Sequence, residues 1–157
     1  MMNDTLAQQL KFLRLTGLLT RWEEHLKAAA GSNLSHARLL IRVIEAEYQL
    51  KCGQAREQRL KLAKIPEKWV MDTFPFERQP KLSKKKIMAL YDSMAFLRDK
   101  QNIIWLGRTG CGKTGLATSF LTQAIHQGAR GRHVLFTDLL NELHRSQADR
   151  SRGQVLK

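Results

Sequence analysis

The chain has 157 residues, of which 43% are hydrophobic and 26% charged, a composition typical of a soluble globular protein with one sizeable domain or two small ones. No apolar stretch approaches the roughly 18 residues that cross a bilayer, and the N-terminus lacks the apolar core of a signal peptide, so we expect neither a membrane protein nor a secreted one. The net charge of +13 favours a polyanionic partner, of which nucleic acid is the commonest.

Helices are predicted over most of the first 65 residues. Between Thr5 and Ala30 the apolar residues recur close to every 3.6 positions, with a kink or break at Thr16-Gly17 and a loop at Gly31-Ser32-Asn33. Ser35 is a suitable N-cap for the next helix. Core packing is the usual role of the apolar positions of that helix, which include Leu39, Leu40, Val43 and Ile44.

Basic residues dominate the chain from Lys51 to Lys68. If they share one helical face, they could follow the phosphates of DNA, although a solvated surface explains them equally well. The candidate DNA-binding residues are Lys51, Arg56, Arg59, Lys61 and Lys64.

Residues 72–83 are predicted to be a linker, because two prolines and alternating aromatic residues between Asp72 and Pro80 exclude a helix. Ser83 can cap a helix that runs from Lys84 to about Arg98. We therefore expect a helical N-terminal domain at 1–71 and a second domain at 84–157.

A phosphate-binding pattern, G-x-x-x-x-G-K-[ST], occurs at residues 107–114. The apolar run 102–106 before it predicts a buried strand, and residues 114–127 after it have helical spacing and end at Gly128, a suitable C-terminal cap. Glycines allow the backbone N–H groups to approach phosphate oxygens, the lysine reaches the β- and γ-phosphates, and the Thr114 hydroxyl would bind Mg²⁺. The predicted ATP site comprises Gly107, Arg108, Thr109, Gly110, Cys111, Gly112, Lys113 and Thr114.

A second strand is predicted at Val134-Leu135-Phe136, followed by a helix that Thr137 or Asp138 caps. Strand, loop, helix and strand in this order predict an α/β fold with a parallel sheet. The two cysteines, Cys52 and Cys111, stand in no metal-binding or disulfide pattern, which favours the reducing cytoplasm.

Four stretches together resemble the N-terminal part of the IstB family, ATP-binding helpers encoded beside the transposase of certain bacterial insertion sequences and similar to the helicase loader DnaC. These stretches are residues 13–18, residues 65–66 with 74–80, residues 102–114, and residues 134–137 with 139–140. The resemblance implies a helical domain that contacts DNA, transposase or sister subunits, joined to the first part of a P-loop AAA+ module, with the linker near Phe76 either against the adenine or in interdomain packing. In two places the chain departs from the family pattern: Arg108-Thr109 stands where small residues or proline are common, and Gly115 replaces a bulkier residue.

The family's Walker B strand, sensor and arginine-finger segments have no match after Lys113. We therefore expect a truncated form that binds ATP and Mg²⁺ without efficient hydrolysis, because nothing in view orients the attacking water. Its expected partners are DNA, the cognate transposase and further copies of itself. Two alternatives stay open, a DnaC-like helicase loader and a DNA-binding or oligomerisation module with a vestigial nucleotide site.

Overall fold

A computed structural model describes residues 2–31 and 35–148, and the described chain forms two compact units, residues 1–57 and 58–157. The predicted boundary at 72–83 stays a prediction. Among the described helices, none has the length and the hydropathy that crossing a bilayer requires.

The first unit consists of helices. α1 spans Asp4–Phe12, α2 spans Thr16–Thr20, α3 spans Trp22–Gly31, and α4 spans His36–Leu62, which continues into the second unit. A break between two helices is confirmed, but it lies at residues 13–15, directly before Thr16-Gly17, which begins α2. Ser35 caps α4 as predicted, because its hydroxyl oxygen accepts a hydrogen bond from the Arg38 backbone N–H at 3.4 Å. Residues 32–34, which include most of the predicted loop, lie outside the described residues.

Gly17 and Glu47 join α2 to α4. A Cβ atom on Gly17 would lie 2.6 Å from Glu47 Oε2, so only glycine allows the two helices to approach this closely. The same carboxylate oxygen accepts a hydrogen bond from the Leu18 N–H at 2.8 Å, which satisfies a free donor in the first turn of α2. Lys51 places its ammonium group 3.8 Å from the other oxygen of this buried carboxylate and donates a hydrogen bond to the Arg14 carbonyl.

In the second unit, single 3₁₀ turns at Met71–Thr73 and Phe76–Arg78 precede α5 (Lys84–Ser93), α6 (Ala95–Arg98), α7 (Lys113–His126) and α8 (Phe136–Ala148). The predicted cap of α5 is confirmed, because the Ser83 hydroxyl accepts from the Lys86 N–H. The single helix predicted from Lys84 to Arg98 is interrupted at Met94, which adopts a left-handed conformation with φ 45° and is 2% exposed. The predicted C-terminal cap Gly128 has φ 93° and directly follows Gln127, the C-cap residue of α7.

The core of the second unit surrounds Phe120 on α7. Its ring contacts Tyr91 on α5 at 5.3 Å, Trp105 at 5.5 Å and Phe96 on α6 at 6.0 Å between centroids. Burial, followed by the carboxylates of Asp72 and Asp92, raises the pKa of Tyr91 and keeps its hydroxyl neutral. Aromatic packing on α7 therefore holds the loop that precedes this helix in place.

The structure does not contain the two predicted strands, because residues 2–31 and 35–148 form no strand. Near the loop, Ile103 and Trp105 pack against the core, whereas Ile104 is 77% and Leu106 89% exposed. Packing on alternate side chains suits one covered face of a strand, but a strand also needs a hydrogen-bonded neighbour. Phe136 belongs instead to α8, because the preceding Leu135 carbonyl accepts from the Leu139 N–H at 3.0 Å, a helical bond.

Within the segment predicted to be a linker, Phe74 is part of the hydrophobic core. Phe74 is 6% exposed and packs in the same cluster as Met71 and Leu116 of α7. Two 3₁₀ turns flank Phe74, and burial of this residue offsets the cost of ordering a proline-containing segment.

Candidate nucleotide-binding site

The loop 107–114 turns sharply at two glycines. Gly110 and Gly112 both have φ 80°, a conformation that is strained for every residue with a Cβ atom. Gly112 immediately precedes α7, so the unpaired N–H groups of the first helical turn are available to an anion there. The geometry agrees with the phosphate-binding role predicted for this pattern.

Lys113 lies folded over its own loop. Its ammonium group donates to the Gly107 carbonyl at 3.0 Å and to the Arg108 carbonyl at 2.7 Å, and the Cys111 sulfur lies 3.8 Å away. The Cys111 thiol also donates to the Arg108 carbonyl at 2.7 Å. The lysine is thus held at the loop by weak neutral partners, which an anionic phosphate can replace with stronger charge-assisted bonds.

A cavity of about 590 Å³ opens beside the loop. Of the predicted site residues, those from Thr109 to Thr114 line it, whereas Gly107 and Arg108 contribute the carbonyl groups that hold Lys113. The opposite wall comes from residues 66–79, which include part of the linker that the resemblance placed either against the adenine or in interdomain packing: Pro66, Glu67, Trp69, Phe74, Pro75, Arg78 and Gln79. Phe76, by contrast, packs its ring against Phe74 at 4.8 Å, as interior packing requires.

Two aromatic rings contact glycines of the loop and its helix. A Cβ atom on Gly112 would lie 2.8 Å from the Phe74 ring, and one on Gly115 would lie 3.2 Å from the Trp69 indole. The Trp69 indole N–H donates to the Glu67 carboxylate at 2.9 Å, and the Trp69 carbonyl accepts from the Ser119 hydroxyl at 3.2 Å. These contacts attach the segment to both ends of the Gly112–Gly115 stretch.

The chain offers Thr114 as a possible ligand for Mg²⁺, since this residue lines the cavity beside Lys113. In the part of the chain that the structure describes, three or more His, Cys, Asp or Glu side chains nowhere converge as a metal site would require. Metal could therefore be held through the phosphates of a bound nucleotide together with the Thr114 hydroxyl.

The candidate DNA-binding residues do not form a single face in either unit. Lys51 and Arg56 are five residues apart on α4, which turns them about 140° from each other, and Arg59 and Lys61 point about 160° apart. Lys51 is already engaged by Glu47 and by the Arg14 carbonyl. Beyond the end of α4, Lys64 lines a second cavity, of about 450 Å³, with Arg132 and Arg145, where Glu142 pairs with Arg132 at 2.5 Å.

A family model described as IstB-like ATP binding protein matches residues 8–157. The chain is 32% identical over 148 residues to a protein of insertion sequence IS5376 from Geobacillus stearothermophilus, which covers 94% of this chain and 59% of that protein. A protein of IS232 from Bacillus thuringiensis subsp. berliner is 27% identical over 152 residues, or 97% of this chain and 60% of the relative. A protein of IS21 from Pseudomonas aeruginosa is 32% identical over 127 residues, which covers 81% of this chain and 46% of that protein.

All three relatives are named as ATP-binding proteins of their insertion sequences. The chain spans less than two thirds of the length of each. The resemblance seen in the sequence is confirmed, because the family match covers nearly the whole chain and includes the loop from Gly107 to Thr114. The chain belongs to the family of IstB-like ATP binding proteins.

Proposed function

We propose that the chain binds ATP in the cavity beside Gly107–Thr114 and serves as an ATP-binding helper of insertion-sequence transposition. The observation that carries this proposal is the position of Lys113, whose ammonium group lies at the mouth of a loop that lines a cavity of about 590 Å³. Family membership supports the same ligand, since the relatives are named for ATP binding.

The phosphates would occupy the concave side of the loop. Backbone N–H groups around Gly112 and the first turn of α7 would donate to them, and Lys113 would exchange the carbonyls of Gly107 and Arg108 for phosphate oxygens. Mg²⁺ would bind the phosphates and the Thr114 hydroxyl, and would neutralise part of their charge.

We expect binding without efficient turnover by this chain alone. Glu67 is the one acidic side chain that lines the cavity among the described residues, and its carboxylate accepts the indole N–H of Trp69. A nucleotide hydrolase usually needs acidic groups both to hold the metal and to orient the attacking water, and one carboxylate that already engages an indole supplies at most one of these roles.

The larger assembly is also a proposal. DNA, the transposase of the same element and further copies of the chain are the proposed partners, in the cytoplasm, where the free thiols of Cys52 and Cys111 would stay reduced. We also propose that residues 84–157 supply the first part of a parallel-sheet AAA+ module, which the alternating packing of Ile103 to Leu106 supports.

The test replaces Lys113 with alanine. Loss of its charge-assisted bonds to phosphate is expected to weaken MgATP binding by about tenfold to a hundredfold, measured by titration calorimetry. Lys11→Ala on α1 removes the same charge from an exposed position and is expected to bind MgATP as the wild type does. Equal affinities in Lys113→Ala and the wild type would contradict the site, and multiple-turnover hydrolysis that depends on Lys113 would contradict the expectation of binding alone.

A further inference from the structure

Trp69 forms the most exposed aromatic surface of the cavity wall that faces the loop. We propose that the base of the bound nucleotide, preferably a purine, stacks on the indole of Trp69, and that Gly115 allows the indole to lie there. This inference rests on the proposed function and names the part of the site that recognises the nucleoside.

Gly115 leaves space for the indole at the start of α7. A Cβ atom built on this glycine would lie 3.2, 3.4 and 3.6 Å from Cδ2, Cγ and Cε2 of Trp69. Three ring atoms at nearly the same distance mean that one flat face of the indole lies against the glycine. The helix therefore covers one face of the ring, while Trp69 remains partly exposed beside the cavity.

The indole is held in this orientation before any ligand binds. Its N–H donates to the Glu67 carboxylate at 2.9 Å. Its own backbone carbonyl accepts from the hydroxyl of Ser119, which is 1% exposed. Because the ring is already ordered on both its side-chain and its backbone ends, binding a base costs little additional side-chain entropy.

The other large ring of the wall is not available in the same way. Phe74 is 6% exposed and belongs to the hydrophobic core, whereas Trp69 is 41% exposed and borders the cavity. Aromatic rings bind bases through their flat faces, and the larger ring system of a purine overlaps an indole more fully. Gln79 lines the same cavity with an amide that can donate to and accept from the edge of the base.

The contact with Trp69 also explains why position 115 is a glycine. Glycine in the first turn weakens a helix, so its presence here needs a reason other than helix propensity. The close approach of Trp69 supplies that reason, because a larger side chain would occupy the space of the indole. Gly115 is thus a positioning residue, and Trp69 is the residue that touches the base.

The experiment compares MgATP with magnesium tripolyphosphate, which has the phosphates but no base, by titration calorimetry on the full chain. Trp69→Ala is expected to raise the Kd for ATP about tenfold and to leave the Kd for tripolyphosphate unchanged, because only ATP stacks. Trp69→Phe keeps a ring and is expected to remain within about threefold of the wild type for ATP. Trp22→Phe, a substitution in α3 of the first unit, is the matched control and is expected to change neither Kd.

The outcomes distinguish failure of this inference from failure of the proposed function. If Trp69→Ala weakens both ligands by the same factor, the indole is only structural and the inference is wrong, and it is equally wrong if neither Kd changes. If the wild type binds neither ligand, the proposed function fails and this inference fails with it. Selective loss of ATP binding in Trp69→Ala, with recovery in Trp69→Phe, supports the inference.

Discussion

Gly112 is the residue at which the demands of the backbone and of packing coincide. Its φ of 80° lies in the left-handed region, and the Phe74 ring occupies the place where a Cβ atom would be, at 2.8 Å. The first demand follows from the phosphate-binding turn. The second arises because a distant segment packs onto that turn, so the glycine serves both the ligand and the core.

Replacing Gly112 with alanine is expected to destabilise the chain by about 2–5 kcal/mol, because left-handed strain of about 1–2 kcal/mol adds to overpacking of about 1–3 kcal/mol. Urea unfolding followed by tryptophan fluorescence measures the change. We also expect MgATP binding to be lost, since the ring and the loop must separate.

Gly128→Ala is the control for this prediction. Gly128 has φ 93°, but a Cβ atom there would meet nothing within 4 Å, so the variant bears the left-handed strain alone, about 1–2 kcal/mol. If the two variants lose the same stability, the contact between Phe74 and Gly112 contributes nothing and the argument for a second demand is wrong.

At the scale of elements, α2 depends on α4 for its position. A five-residue helix is too short to be stable alone, and α2 gains a partner for its Leu18 N–H from Glu47 and a close approach through Gly17. The carboxylate is a side-chain cap that comes from another helix rather than from the preceding residue. Helical spacing alone predicts a break near Gly17 but not this contact.

Gly17→Ala is expected to destabilise the first unit by about 1–2 kcal/mol. Its Cβ atom would lie 2.6 Å from Glu47 Oε2 and 2.9 Å from Leu50 Cδ2, so overpacking exceeds the gain in helix propensity. Gly53→Ala, in open space on α4, is the control and is expected to stabilise by about 0.5–1 kcal/mol. Helicity measured by circular dichroism during urea unfolding gives both changes in stability. A gain of stability in both variants would contradict the close contact of Gly17 with Glu47 and Leu50.

At the scale of the whole molecule, the net charge of +13 is the dominant feature. Helical rotation distributes the basic residues of α4 over several sides, and Lys51 is committed to Glu47 and Arg14. Arg56, an exposed residue, and Arg59, three positions later, remain the better candidates for phosphate contacts. In the proposed binding of DNA, general attraction would follow from the total charge, whereas the particular contacts would follow from exposure and from ion pairing.

Duplex DNA binding is expected to weaken steeply with salt, and replacing Arg56 and Arg59 together with alanine is expected to reduce the slope of log Kobs against log[salt] by about 2. Lys51→Ala is expected to leave the slope unchanged. Fluorescence anisotropy with a labelled duplex at several salt concentrations measures both. A reduced slope in Lys51→Ala alone would place the contact on the other side of α4.

Much of the site could be predicted from local sequence. The spacing of glycines and Lys113 identifies the loop, and Ser35, Ser83 and Gly128 identify helix ends, because caps and left-handed turns depend on a few neighbouring residues. The two strands could not be established in this way. Apolar alternation at Ile103 and Trp105 indicates one covered face, but a strand exists only when another segment supplies its hydrogen bonds.

The sequence by itself determined that the chain has a phosphate-binding loop between Gly107 and Thr114, since that pattern is a local backbone requirement. Only the tertiary structure decided what faces the loop. Trp69 and Phe74 lie 38 and 33 residues before Gly107, yet their rings pack on Gly115 and Gly112. The physical reason is that each ring packs in the space left by a glycine far away in the sequence. The spacing of residues along the chain contains no information about that space.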